Sequence, residues 1–145
     1  MNSKPFSEEE FVSIYSKVPR LCVDLVIQTP QGIVFGLRNL EAWHNMWHLP
    51  GGTLFHGEKV KDAVKRIAQN ELGISVTESK FIGYIEYIKD DNKPTYRHAV
   101  SIVYSCQVDS VPSTPTSEDS SEVKVFKKLP ENIIPEQGEF LKSFF

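Results

Sequence analysis

The chain has 145 residues, 16 Lys+Arg against 19 Asp+Glu and a formal net charge of -3, with an isoelectric point near 5.8. That length suits one domain burying roughly two-thirds of its unfolded surface, and 40% hydrophobic with 24% charged residues is the balance of a globular protein. The mild acidity argues against a duplex-DNA-binding or polybasic membrane-binding module, yet leaves room for an anionic small molecule held by a few cations or a metal.

The first eighteen residues, MNSKPFSEEEFVSIYSKV, are charged and lack the apolar core of a signal peptide. No apolar run approaches the ~18 residues needed to cross a bilayer. Cys22 and Cys106 lie far apart in apolar runs with no C-x-x-C pair, so they read as buried, reduced thiols. The expectation is a cytoplasmic protein with no membrane or nucleic-acid partner.

Ser7-Glu8-Glu9-Glu10 fits a capping box and predicts a helix over about 8–17, ended by Pro19. LCVDLVIQT (21–29) and IVFGLR (33–38), joined by Gln31-Gly32, predict a hairpin. Residues 39–56, rich in Trp, His, Pro and Gly, predict an ordered loop. EKVKDAVKRIAQNEL (58–72) has helical periodicity, and Gly73 stands where a C-cap glycine belongs. Strands follow at 80–88 and 99–108, joined by the turn-rich DDNKP. DSVPSTPTSEDSS (109–121) reads as mobile, EVKVFKKL (122–129) alternates like a half-buried strand, and a short helix follows Pro135. Strands on both sides of a central helix, without a repeat, predict a single α/β domain spanning 1–145 with a mixed sheet.

The central helix carries one residue that does not suit its face. At about 100° per residue, Val60, Ala63, Val64 and Ile67 form the buried stripe, and Glu71 falls on it, while Asp62, Lys65 and Gln69 project oppositely. A carboxylate there is costly unless a cation compensates it, and the helix dipole adds to the cost. Either Glu71 bends out to water from a frayed end, or it is a divalent-metal ligand, since oxygen donors suit Mg²⁺. Just upstream, Leu49-Pro50-Gly51-Gly52 lets the backbone approach closely, so that a free carbonyl there can be a ligand.

These residues resemble the Nudix hydrolases, whose signature is GX5EX7REUXEEXGU. Gly52, Glu58, Arg66, Glu71, Gly73 and Ile74 keep its spacing without a gap, and Trp47-His48-Leu49-Pro50-Gly51 looks like the usual W-x-x-P-G lead-in. The resemblance implies an α/β/α sandwich with a mixed central sheet. The chain departs from the pattern at Ile67 and Asn70, where the family has its first two helix glutamates, and at Ala68, a weak U. A similarly reduced box marks the GDP-mannose mannosyl hydrolase branch, which ends R-x-x-x-x-E-L-G. Phe11, the Pro19–Asp24 stretch, Gly36, Arg38 and Trp47 also sit where that branch has comparable residues.

What the resemblance implies is hydrolysis of a nucleoside-diphosphate sugar at the glycosyl carbon, with one Mg²⁺ (or Mn²⁺) held by the Gly51 carbonyl, Glu71 and, from the late loop, Glu122. Arg38 and Arg66 are candidates to stabilise the leaving group, although Arg66 can also pair with Asp62 one turn earlier. Asp24 is either an outward strand residue or part of the sugar or base pocket, and Phe11 either core or a stacking ring. The branch's histidine base is replaced by Val123, leaving Glu122, Glu118, Asp119 or His98 as base candidates, with His98 also a substrate contact. His44, His48 and His56 lack ligand spacing, and Trp43 and Trp47 read as loop packing. A P–O–P-cleaving enzyme and a non-catalytic nucleotide-binding module are the alternatives, and relatives suggest a homodimer.

Overall fold

The computed structural model describes residues 4–40, 43–88, 98–112 and 114–145; the DDNKP turn at 90–94 lies outside the described residues. The capping box is present: Ser7 Oγ accepts from Glu10 N at 3.2 Å, and Ser7 N donates to Glu10 Oε1 at 3.1 Å. It starts α1 (Glu8–Tyr15), which ends two residues earlier than expected.

The hub is β1 (Arg20–Thr29), buried on both faces from Cys22 to Ile27. One edge pairs in parallel with β6 (His98–Gln107), from Arg20 opposite Ala99 to Gln28 opposite Gln107. The other edge is shared. β2 (Gly32–Arg38) meets β1 only at Gln28–Ile33 and Thr29–Gly32, so the expected hairpin forms and then splays. Into the gap comes β4 (Gly51–Thr53), antiparallel to Cys22–Asp24. β2 turns away to pair with β3 (Trp47–His48) and β7 (Ser120–Phe126). At the far edge β5 (Lys80–Ile88) pairs antiparallel with β6. The stretch 39–56 is thus not a plain loop, for it contains β3 and β4. Strands of two and three residues leave no alternation to read and exist through their partners.

Side chains alternate across β1. Val23, Leu25 and Ile27 pack with Ala63, Val64, Ile67, Ala68 and Leu72 of α2 (Val60–Leu72). Cys22 and Val26 face the other way, toward Ile85, Tyr87, Ile133, Ile134 and, from α3 (Pro135–Leu141), Leu141. The result is the α/β/α sandwich with a mixed sheet.

α2 begins at Val60 rather than 58, because the Glu58 carboxylate closes a preceding turn by accepting from Phe55 N at 3.1 Å. Its other end is stopped by Gly73 in the left-handed region at φ 65°, with its N–H on Gln69 O at 2.9 Å. The segment expected to be mobile is tied to this end. Thr116 donates through Oγ1 to Asn70 O (2.7 Å) and through N to Glu71 O (3.2 Å), serving two terminal carbonyls that the helix cannot satisfy itself.

Ile67 is 2% exposed between α2 and β1. Ile67→Ala should cost about 2–4 kcal/mol through transfer and cavity terms. Thermal unfolding should show Tm lower by roughly 5–15 °C; an unchanged Tm would mean the position is not core.

Candidate active site

The β1–β4 ladder sets the geometry of Gly51. Leu25 N donates to Pro50 O at 2.8 Å and Leu54 N to Leu21 O at 3.0 Å, so Asp24–Gly51 and Cys22–Thr53 are the non-hydrogen-bonded rungs. Gly51 therefore directs its own carbonyl away from β1. A Cβ at Gly51 would run into Asp24 Oδ1 and lie 2.9 Å from Val23 O, so glycine is required there. Gly52 faces α2, its missing Cβ 3.6 Å from Ile67.

Glu71 does not escape to water. Burial pushes its pKa from 4.5 up to about 7; the Asp119 charge adds to this, while a hydrogen bond with Ser117 and the charges of Arg38 and Lys4 oppose it. Asp119 is held by its N–H on Ser117 Oγ (3.1 Å) and by its carbonyl, which accepts from Asn39 N (2.8 Å). Glu122, the expected partner of Glu71, is elsewhere. Its neighbour Val123 is buried against the α2 cluster, so Glu122, exposed and opposite Leu37, points to the other face of the sheet. The late-loop carboxylate beside Glu71 is Asp119.

Arg66 is occupied structurally, and not by Asp62. Its Nε and a terminal nitrogen donate to Glu58 Oε2 (2.7 Å) and Oε1 (2.9 Å), and the same terminal nitrogen reaches Thr53 O at 2.8 Å. The guanidinium also lies 3.7 Å from the Phe55 ring centroid. This bidentate pair holds the Glu58 pKa down and fastens the end of β4 to α2. Phe11 is half-buried and carries the Arg20 guanidinium on its ring at 5.5 Å, with Tyr15 edge-on at 4.7 Å. His98 stands opposite Ile88, on the face of β6 opposite that of Ser101 and Val103, away from Asp24.

Asp24 is 7% exposed and is neither outward nor isolated. Tyr87 Oη donates to its Oδ2 at 2.7 Å, Gln137 Nε2 donates to Tyr87 Oη at 3.0 Å, and Leu49 N donates to Gln137 Oε1 at 2.7 Å. Burial raises the Asp24 pKa, and the Tyr87 hydrogen bond and the charges of Arg20 and Arg38 oppose the rise. This chain joins β1, β5 and α3 to the residue before Pro50-Gly51. Tyr87 and Gln137 were invisible in the sequence, because one looks like a strand aromatic and the other like a surface helix residue. His48 is buried and neutral, its pKa lowered to about 3 by burial and the Arg38 charge. Its Nδ1 contacts Leu49 O at 2.9 Å, an acceptor only, so Nε2 accepts from Ser120 Oγ at 3.0 Å.

The NUDIX domain model matches residues 18–144. The chain belongs to the Nudix family. It is 30% identical over 139 residues to the low-salt glycan biosynthesis protein Agl8 of Haloferax volcanii, covering 94% of this chain and 88% of that protein. Its fold is similar to the MutT Nudix hydrolase of Burkholderia pseudomallei, with a TM-score of 0.69, 25% identity, and coverage of 81% of this chain and 92% of that one. The MutT protein of Methanosarcina mazei Go1 shares the fold at a TM-score of 0.73 and 21% identity, over 87% and 93% of the two chains.

Among the described residues no three His, Cys, Asp or Glu side chains gather. Glu71 and Asp119 are neighbouring carboxylates, and Gly51, at the other end of the loop–helix unit, leaves its carbonyl outside the ladder. A half-buried carboxylate raised by its surroundings, beside a second one, is a place short of positive charge. It fits a single hard cation that keeps several of its own waters, as Mg²⁺ does.

The folded pKa of Glu71 lies above the unfolded value of 4.5. The burial penalty is therefore absent below about pH 4.5 and complete above about pH 7, so metal-free protein loses stability across that window. Glu71→Gln should be more stable than wild type at pH 8 by about 1–3 kcal/mol, with the difference vanishing toward pH 4.5. Denaturant unfolding at several pH values measures it; equal stability at pH 8 would place Glu71 in water. Arg66→Ala, which strands Glu58 and Thr53 O, should cost about 3–5 kcal/mol in the same assay.

Proposed function

We propose that this Nudix protein hydrolyses a nucleoside-diphosphate sugar, GDP-mannose-like, at the glycosyl carbon, releasing sugar and nucleoside diphosphate with Mg²⁺ as cofactor and Mn²⁺ as substitute. The observation that carries the reading is Ile67. Where the family signature has its first helix glutamate, this chain has a 2%-exposed core residue, and Asn70 replaces the second. One helix carboxylate remains, Glu71. An in-line displacement at phosphorus is commonly served by two metal ions clamping both oxygens. Departure of an intact diphosphate from carbon asks only that the leaving group be neutralised. The relative from Haloferax volcanii, named for glycan biosynthesis, supports a sugar-linked substrate.

Glu71 and the Gly51 carbonyl are the residues that would hold the cation, which leaves Asp119, beside Glu71, as the base. A divalent ion there supplies positive charge to the diphosphate, making it a better leaving group. Arg38, whose charge is felt at both Asp24 and Glu71, adds to that field as negative charge builds on the departing oxygen. Arg66, paired with Glu58 and bonded to Thr53 O, serves by fixing β4. Asp119 accepts the proton of the attacking water. The water oxygen bonds to the glycosyl carbon, and the C–O electron pair leaves with the β-phosphate. Asp24, fixed by Tyr87, lines the sugar side.

P–O–P cleavage is the second reading, favoured by Val123, which is 6% exposed where the resembling branch has its histidine base. Hydrolysis of GDP-mannose, GDP-glucose and ADP-ribose in ¹⁸O-labelled water separates the two. Label in the released sugar is expected; label in a phosphate product would establish attack at phosphorus instead. Absence of Mg²⁺-dependent turnover on any nucleotide substrate would leave a nucleotide-binding module.

A further inference from the structure

Arg38 ends β2 and is gripped by the loop that follows. Its N–H donates to Met46 O at 2.9 Å, its carbonyl accepts from Asn45 N at 2.9 Å, and Met46 N donates to Trp43 O at 3.1 Å. Asn132 Nδ2 pins the loop from outside by donating to Asn45 O at 2.6 Å. Among its described residues, Trp43 at φ 53° and Asn45 at φ 60° take the left-handed conformation. Asparagine tolerates that region, whereas for a bulky residue such as tryptophan it is strained. Strain of this kind persists only where the surroundings over-determine it, and it gathers at functional sites.

The strained backbone puts the indole in one place. The Arg38 guanidinium carbon lies 5.7 Å from the Trp43 ring centroid, and Tyr87, which holds Asp24, meets the same indole edge-on at 5.8 Å with an interplanar angle of 61°. Arg38 and Tyr87 thus meet on Trp43, one the cation whose charge reaches Glu71 and the other the tyrosine that fixes the buried Asp24. A mobile arginine side chain has many rotamers, and an aromatic face within about 6 Å selects among them. Ordinary loop packing would not need a tryptophan in the left-handed region, since any apolar residue in a relaxed backbone could fill the space.

We infer that Trp43 is a positioning residue for Arg38: the indole, locked by its strained loop, holds the guanidinium toward a diphosphate lying beside Glu71. This rests on the nucleoside-diphosphate reading. The test is GDP binding in the presence of Mg²⁺, followed calorimetrically on the full chain, for wild type, Trp43→Ala, Trp43→Phe, Arg38→Met and the double variant Trp43→Ala/Arg38→Met. Trp43→Ala should weaken GDP binding about fivefold to twentyfold. Trp43→Phe should recover most of the loss, and Trp43→Ala should do nothing further in the Arg38→Met background, because non-additivity is the mark of a contact acting through its partner. Trp43→Gly, which relieves the left-handed strain that Trp43→Ala retains, should have a higher Tm than Trp43→Ala and still bind weakly, separating positioning from folding. Wild-type affinity in Trp43→Ala, or fully additive losses in the double variant, would overturn the assignment. If the wild type itself binds no GDP, the nucleoside-diphosphate reading falls and this assignment with it.

Discussion

A carboxylate kept at the buried end of an amphipathic helix is the constraint around which this protein is arranged. The rotation of α2 is set by Ala63, Val64, Ile67, Ala68 and Leu72, packed with β1 in one cluster, and that rotation leaves Glu71 half-buried. The helix dipole and the nearby Asp119 both disfavour its charge. The surroundings hold it there all the same: Thr116 straps the segment before β7 across the helix end, Ser117 hydrogen-bonds the carboxylate, and the Gly51 carbonyl is left outside the β1–β4 ladder. In the proposed function a divalent cation would offset the negative charge gathered there by Glu71 and Asp119.

The signature residues that remain divide by what they do. Glu58 and Arg66 are architecture: the bidentate pair and its reach to Thr53 O tie the turn before α2 to the strand bearing Gly51. Gly51 and Gly73 are required by close approach and by a left-handed cap. Ile67 has gone over to the core. What is left for metal chemistry from the helix is Glu71 alone, and this selective loss, with the supporting framework intact, favours a one-cation reaction over a decayed enzyme. In the proposed reaction Arg38 takes the cationic role for which the resemblance offers both Arg38 and Arg66.

Periodicity was sufficient to place Glu71 on the buried stripe, the capping box predicted α1, and the glycine after Leu72 marked the end of α2. What could not be read depends on which strand meets which. β3 and β4 exist only through pairing with β2 and β1. The alternation of EVKVFKKL predicted a strand correctly, but only its register on β2 decides that Val123 rather than Glu122 looks toward α2. Asp24 interrupting LCVDLVI was ambiguous because its partner Tyr87, and Gln137 that holds Tyr87, are 63 and 113 residues away in sequence. The Ser/Thr/Pro-rich stretch looked mobile for its composition, and it is ordered where Thr116 finds helix carbonyls to bind.

Proton release on metal binding tests the central claim most directly. With its pKa raised to about 7, Glu71 is partly protonated near neutrality, and a cation that binds its carboxylate must displace that proton. Calorimetric titration of Mg²⁺ in buffers of different ionisation enthalpy should show a fraction of a proton released per ion at pH 7, larger at pH 6 and falling toward zero by pH 9, and no release from Glu71→Gln. Mg²⁺ binding without proton release at pH 7, or with the same release in Glu71→Gln, would show that the cation does not bind at Glu71.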